Sequence, residues 1–181
     1  VLELAGLNDP LTRGITLSSS RSSPYNPHIL NVSGDNTING SITLIAAGGS
    51  GLILGSDAGK LTLTGTIRHS FNNALKTYFF RGSGDFEVSG TGTIGQSSAA
   101  APSNVDKDGS GTLTLGSANS FSAGLILRAG ALNINHEAAL GSTAAPGGIF
   151  TILGGAIDNT SGGDITVVNN NPQKWDGDFT F

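Results

Sequence analysis

The run Ser110-Gly111-Thr112-Leu113-Thr114-Leu115-Gly116 decides the fold, because it returns without gaps at two earlier places. These are Ala58-Gly59-Lys60-Leu61-Thr62-Leu63-Thr64-Gly65 and Ser83-Gly84-Asp85-Phe86-Glu87-Val88-Ser89-Gly90. Each copy is a glycine followed by alternating polar and apolar residues. A period of two marks a half-buried strand, and the flanking glycines supply the positive φ of a corner. Weaker copies start at Gly14 (Ile15, Leu17), Gly40 (Ile42, Leu44), Gly130 (Leu132, Ile134) and Gly163 (Ile165, Val167). Glycines 40, 59, 84, 111 and 130 stand 19, 25, 27 and 19 residues apart. A recurrence of ~20–27 residues is the length of one coil of a parallel β-helix. Turn signals every ~8–12 residues would instead mark an antiparallel β-sandwich, which is the alternative. In the solenoid Leu61, Leu63, Phe86, Val88, Leu113, Leu115, Leu132 and Ile134 point inward, and Thr62, Glu87 and Thr114 point out.

Composition agrees with an all-β chain. Gly, Ser, Thr and Asn together make 81 of the 181 residues, and all four are poor helix formers. Hydrophobic residues still amount to 37%, enough for a core. Charged residues are only 12%, and the net charge is −4, which leaves no electrostatic footprint for nucleic acid. With no cysteine there is no disulfide scaffold, thiolate metal site or thiol nucleophile. The absence of methionine as well as cysteine suits a protein exposed to oxidants, and an extracellular location is expected. No apolar run reaches the ~18–20 residues of a membrane span.

The chain reads as one solenoid domain over residues 1–181. Two stretches break the rhythm and are expected as extruded loops. Residues 68–81 hold the densest aromatic cluster with Arg68, Lys76 and Arg81, and residues 95–108 have little apolar periodicity. Asn169-Asn170-Asn171 is a candidate corner ladder, each amide bonding to a neighbouring coil.

Residues 108–141 carry a more specific pattern. Asp108-Gly109-Ser110-Gly111-Thr112-Leu113-Thr114-Leu115-Gly116 continues through Asn119-Ser120-Phe121-Ser122-Ala123-Gly124 to Ala129-Gly130-Ala131-Leu132 and ends at Ala139-Leu140-Gly141. This resembles the autotransporter-associated β-strand repeat, also called the passenger-associated transport repeat. Phe121 stands where the family more often has Tyr, and Ala123 where it usually has Gly. The resemblance implies a right-handed, single-stranded β-helix forming the exported shaft of a bacterial surface protein. Its motif residues here are Gly109, Gly111, Leu113, Leu115, Asn119, Phe121, Gly130, Leu132, Leu140 and Gly141. No catalytic residue belongs to the motif, so none carries over.

The residues themselves nominate no catalytic, cofactor or metal site. His28, His69 and His136 are isolated and are expected as solvated or turn histidines. Acid pairs two apart, Asp85/Glu87, Asp106/Asp108 and Asp176/Asp178, share a face when on a strand. Converging acids with a base would suit a polysaccharide-acting or glycan-binding groove, the competing function. Trp175 with Phe179 and Phe181 is either a sugar-stacking platform or, as expected, core packing.

Solenoids end in polar caps, yet Val1-Leu2-Glu3-Leu4 and Phe179-Thr180-Phe181 are strand-like and apolar. Val1, Leu2, Leu4, Phe179 and Phe181 are therefore candidate assembly ends. The partner is the chain itself stacked head to tail, or flanking repeats of a longer chain, with a surface glycan as a further candidate. The reading is a non-enzymatic structural β-solenoid outside a bacterial cell, a stalk segment or a fibre subunit.

Overall fold

The computed structural model describes residues 1–19, 26–45, 51–70, 74–95, 101–143 and 148–181. It is an all-β solenoid in which every paired strand is parallel, so the sandwich alternative is excluded. The first face stacks eight strands from Leu2–Ala5 through Ile29–Ser33, Gly51–Ser56, Lys76–Arg81, Ser103–Lys107, Leu125–Leu127 and Phe150–Ile152 to Gln173–Trp175. The second stacks seven: Asn36–Ile38, Lys60–Leu63, Asp85–Val88, Thr112–Leu115, Ala131–Ile134, Gly155–Asp158 and Phe179–Thr180. The third has four: Ile15–Leu17, Ile42–Leu44, Thr66–His69 and Thr93–Ile94. At about 4.8 Å per rung the eight-stranded face spans roughly 34 Å.

The three gap-free copies are successive rungs of the second face. Leu61 pairs with Phe86 and Phe86 with Leu113, and the column runs on to Leu132 and Ile157. All five are buried, as are Leu63, Val88 and Leu115, while Thr62, Glu87 and Thr114 face outward half-buried between neighbouring rungs. Ile134 is half-buried and packs on the edge of the core. The Gly14 and Gly40 copies belong to the third face, so the spacing of Gly40 and Gly59 compares strands of two different faces and falls short of a full coil. The Gly163 copy forms no strand, although Val167 still packs on the core.

The step from Leu113 to Leu132 is 19 residues, shorter than its neighbours. Its coil has no third-face strand. Phe121, fully buried, and Asn119 occupy that side instead.

Among the described residues, both stretches expected as extruded loops contain rungs of the solenoid. Within 68–81, the segment from Lys76 to Arg81 is a central rung that turns Lys76, Tyr78 and Phe80 inward, and Thr66–His69 is a rung of the third face. Two of the three aromatics there, Tyr78 and Phe80, are core, while Phe79 takes the outward side of the strand between Thr77 and Arg81, with the Arg81 guanidinium 4.8 Å from its ring centroid. Within 95–108, Ser103–Lys107 pairs along its length with Lys76–Phe80. Its inward side chains are Ser103, Val105 and Lys107, too polar to show an apolar alternation. Residues 71–73 and 96–100 of these stretches lie outside the described residues.

Two histidines are buried rather than solvated, His28 at 3% and His69 at 0% exposure. His28 accepts the Ile53 backbone N–H at Nδ1, so Nε2 carries the proton and donates to the Ser19 carbonyl. Tyr78 gives its hydroxyl proton to the Gly95 carbonyl at 2.8 Å, so His69 Nδ1, 2.9 Å away, donates to the Tyr78 oxygen. Burial holds the His69 pKa below the ordinary 6.5; the Ala101 backbone opposes this and Lys76 reinforces it. The sign follows from linkage: below pH 6.5 the unfolded chain takes up a proton that the folded chain refuses. The contribution of His69 is therefore fully present above about pH 6.5 and falls as the medium is acidified. Urea titrations at pH 7.5 and 5.5 are expected to show a smaller loss for His69→Gln than for the parent; equal losses would assign the acid sensitivity elsewhere.

Candidate assembly site

The motif residues at 108–141 serve the corners and the core. Gly109 has φ +88°, and a Cβ there would stand 2.3 Å from the Gly82 carbonyl oxygen one coil below. At Gly111 a Cβ would meet the Gly84 carbonyl oxygen at 2.0 Å. Corners stack this closely only without side chains. Leu113, Leu115, Phe121, Leu132 and Leu140 are core. Gly141 gives way to the Phe121 ring, which a Cβ would approach to 2.7 Å. Asn119 ties three coils together: Oδ1 accepts the Ile94 N–H at 2.8 Å, and Nδ2 donates to the Ala139 carbonyl at 2.8 Å.

Gly130, the remaining motif glycine, makes room for a buried lysine. Lys107 occupies an inward position between Phe80 and Leu127 and is 1% exposed. Its ammonium donates to the carbonyls of Gly109 (2.9 Å) and Ala129 (3.2 Å), and a Cβ on Gly130 would lie 2.7 Å from it. Burial pushes its pKa down to about 8, with Asp108 pulling the other way. Of the three amides expected at 169–171 to bond to a neighbouring coil, two do so: Asn169 donates to the Gly141 carbonyl, and Asn171 to those of Leu140 and Gly148.

The acid pairs do not converge. Asp85 and Glu87 lie on the second face, where Asp85 accepts the Thr112 N–H at 2.7 Å and Glu87 pairs with Lys60 at 2.7 Å. Asp106, on the first face, is 4% exposed and is held by Arg81 (2.9 Å) and Arg128 (3.0 Å) from the coils on either side. Asp108 binds the Gly109 N–H, and Asp176 pairs with Lys174. A groove of about 410 Å³ borders Asp57, Asp108 and Arg81, but Arg81 is already committed to Asp106 and no aromatic ring lines the groove.

The candidate ends divide. Leu4 is 2% exposed and belongs to the core, so it is no assembly surface in this structure. Val1 and Leu2 are 62% and 38% exposed at one end; Phe181 is 94% exposed at the other, with Phe179 half-buried. Trp175 is 67% exposed, contrary to the expected core packing, although it occupies a core column. That column runs Ile29, Leu54, Phe80, Lys107, Leu127, Ile152, Trp175. Trp175 has a rung below it and none above. Phe181 likewise falls one residue beyond the Ala156–Thr180 pair, in line with core residue Ile157. Beneath Trp175, Phe179 and Phe181 a cavity of about 180 Å³ opens onto Phe150, Ile152 and Ile157.

Sequence reasoning had not singled out Asn171 alone. The residue lines this cavity, and its Oδ1 is buried without a hydrogen-bond partner among the described residues.

The fold defines the class: an all-parallel β-solenoid. No protein family, curated protein or solved structure matches the chain.

Proposed function

We propose that this chain is a structural β-solenoid, a segment of the rigid shaft of an exported bacterial surface protein, with a mechanical and not a catalytic role. The observation that carries this reading is the continuous parallel ladder of stacked coils. Similar glycine corners and apolar columns recur along it, and four carboxylates, Asp35, Asp85, Glu87 and Asp106, tie one coil to the next. Such a ladder is quasi-one-dimensional, with each coil resting on its neighbours, which is what a shaft of adjustable length requires. The likeness of residues 108–141 to the passenger-associated repeat supports the extracellular placement, as does the sulfur-free composition.

Modularity gives the test. Removing residues 81–107 joins Phe80 to Asp108 in register, because Phe80 already pairs with Lys107. Placed between an export signal and an outer-membrane anchor, both the full chain and this deletion are expected to reach the cell surface folded. X-ray scattering of the purified rods is expected to show the deletion shorter by about 4.8 Å. Retention of the full chain inside the cell, or collapse of the in-register deletion, would overturn the reading.

A further inference from the structure

We infer that the outer surface of the first face is a docking surface for a second copy of this chain, laid against it face to face with the solenoid axis reversed. The inference goes beyond the shaft reading and does not depend on it. It adds a lateral partner, a register and the residues that set the register.

The outward residues of that face carry the argument. Side chains alternate along a strand, so the residues beside the inward column Leu54, Phe80, Lys107 form columns of their own on the outside of the rod. One such column begins Leu30, Gly55, Arg81, which pair in that order. It continues with Asp108, Arg128 and Leu153, each one residue beyond the pairs Phe80–Lys107, Lys107–Leu127 and Leu127–Ile152. Read from its two ends, the column complements itself: leucine answers leucine, glycine answers arginine, and Arg81 answers Asp108. A two-fold axis lying along the strands, midway between the Arg81 and Asp108 rungs, sets these residues opposite one another in two copies.

The glycine marks a recess. A groove of about 410 Å³ lies over Gly55, bordered by Pro27, Leu30, Ile53, Asp57, Arg81 and Asp108. Its one cation is turned aside, since Arg81 donates to the Asp106 carbonyl and carboxylate and lies 4.8 Å from the Phe79 ring centroid. Its acids have capacity to spare. The exposed Asp57 carboxylate has no partner among the described residues, and Asp108 accepts one hydrogen bond, from the Gly109 N–H at 2.9 Å. Arg128 is what comes opposite. Its side chain is 42% exposed and only Nε is engaged, by the two Asp106 oxygens at 3.0 Å, so both terminal nitrogens remain to donate. In the pair of copies its stem lies on Pro27 and Leu30 and its guanidinium reaches Asp57. Leu153, 36% exposed, covers Leu30, and the half-buried Ile126 comes over the Ile53 side of the groove. Glu3 on the first rung meets the Lys174–Asp176 pair on the last and adds no attraction.

Every contact occurs twice, once on either side of the axis, and the arrangement closes as a dimer of antiparallel rods. Sheets that meet face to face run aligned at a spacing of about 10 Å. A face of roughly 34 by 16 Å on each copy gives about 1,100 Å² in total, the lower end for a specific interface.

The full chain is therefore expected to dimerise reversibly in sedimentation at micromolar to millimolar concentration, less so as salt is raised. Asp57→Lys, at an exposed position, is expected to weaken the dimer about tenfold, because the two-fold axis makes the reversed charge count twice. The chain has no cysteine, so the register can be read by oxidation. Leu30→Cys/Leu153→Cys is expected to give a covalent dimer and nothing longer, since both sulfurs of each copy are used in one joint. Thr62→Cys/Leu153→Cys, whose first site lies on the second face, is expected to stay monomeric. A parent chain that is monomeric at every concentration, a ladder of longer species, or equal cross-linking in the control would overturn the inference. If the cysteine pair does not fold, Asp57→Lys decides alone, and association unchanged by it would equally overturn the docking surface while leaving the shaft reading untouched.

Discussion

Replacing Phe86 by alanine is expected to lower the unfolding free energy by about 3–5 kcal/mol, read from urea titration at neutral pH. Phe86 is 1% exposed, stands between Leu61 and Leu113 in its column, and meets Phe80 edge-on with ring centroids 5.2 Å apart. The space left by the ring cannot close. Its ceiling and floor are adjacent rungs held at fixed spacing by backbone hydrogen bonds, so the cost lies at the upper end of cavity-forming substitutions. The effect reaches beyond one site because a solenoid is cooperative only through nearest neighbours, and this coil joins the two halves. Exchange of backbone amides is expected to rise most in the rungs either side of Asp85–Val88. A loss below about 1 kcal/mol would mean that the coils relax independently of the ladder.

Gly109→Ala is expected to be equally severe, about 3–5 kcal/mol, through two costs that act together. The residue sits at φ +88°, and the new methyl would stand 2.3 Å and 2.7 Å from the Gly82 backbone oxygen and nitrogen. Neither obstacle is a flexible side chain. Gly90→Ala separates the two costs, because Gly90 has φ +64° with nothing within 4 Å of a Cβ. That variant carries the left-handed backbone cost alone, about 1–2 kcal/mol. Thermal or urea unfolding of the pair measures the difference, and equal losses would refute close stacking as the reason for the corner glycines.

Both predictions concern residues whose role was legible in the repeated run. Alternation over Leu61/Leu63, Phe86/Val88 and Leu113/Leu115 identified the inward columns, and their recurrence identified the coil. A side chain's direction on a strand is a local property with period two, so it survives into the fold unchanged. The same rule applied to Lys76-Thr77-Tyr78-Phe79-Phe80-Arg81 places a rung there, but the flanking charges obscured it. Ser103–Lys107 was hidden more deeply, since its inward residues include a lysine whose ammonium is satisfied by carbonyls 2 and 22 residues away.

The terminal strands divide along the same line. Val1, Leu2, Phe179 and Phe181 stood out as apolar residues on terminal strands, whereas Leu4 was drawn into the core by the rung above. Asn171 was one amide among fifteen asparagines until the coils were stacked. By itself, then, the sequence determined the strand period, the coil recurrence, the inward apolar columns and the glycine corners, because each depends on steric preferences within a few residues. Only the tertiary structure decided which face each strand joined, that His28, His69 and Lys107 are buried, that the acid pairs stay apart, and that Asn171 ties its amide nitrogen to the coil below. Those outcomes depend on which residues 19–29 positions apart come to lie one above another, and coil lengths that vary from turn to turn settle that only when the chain is wound.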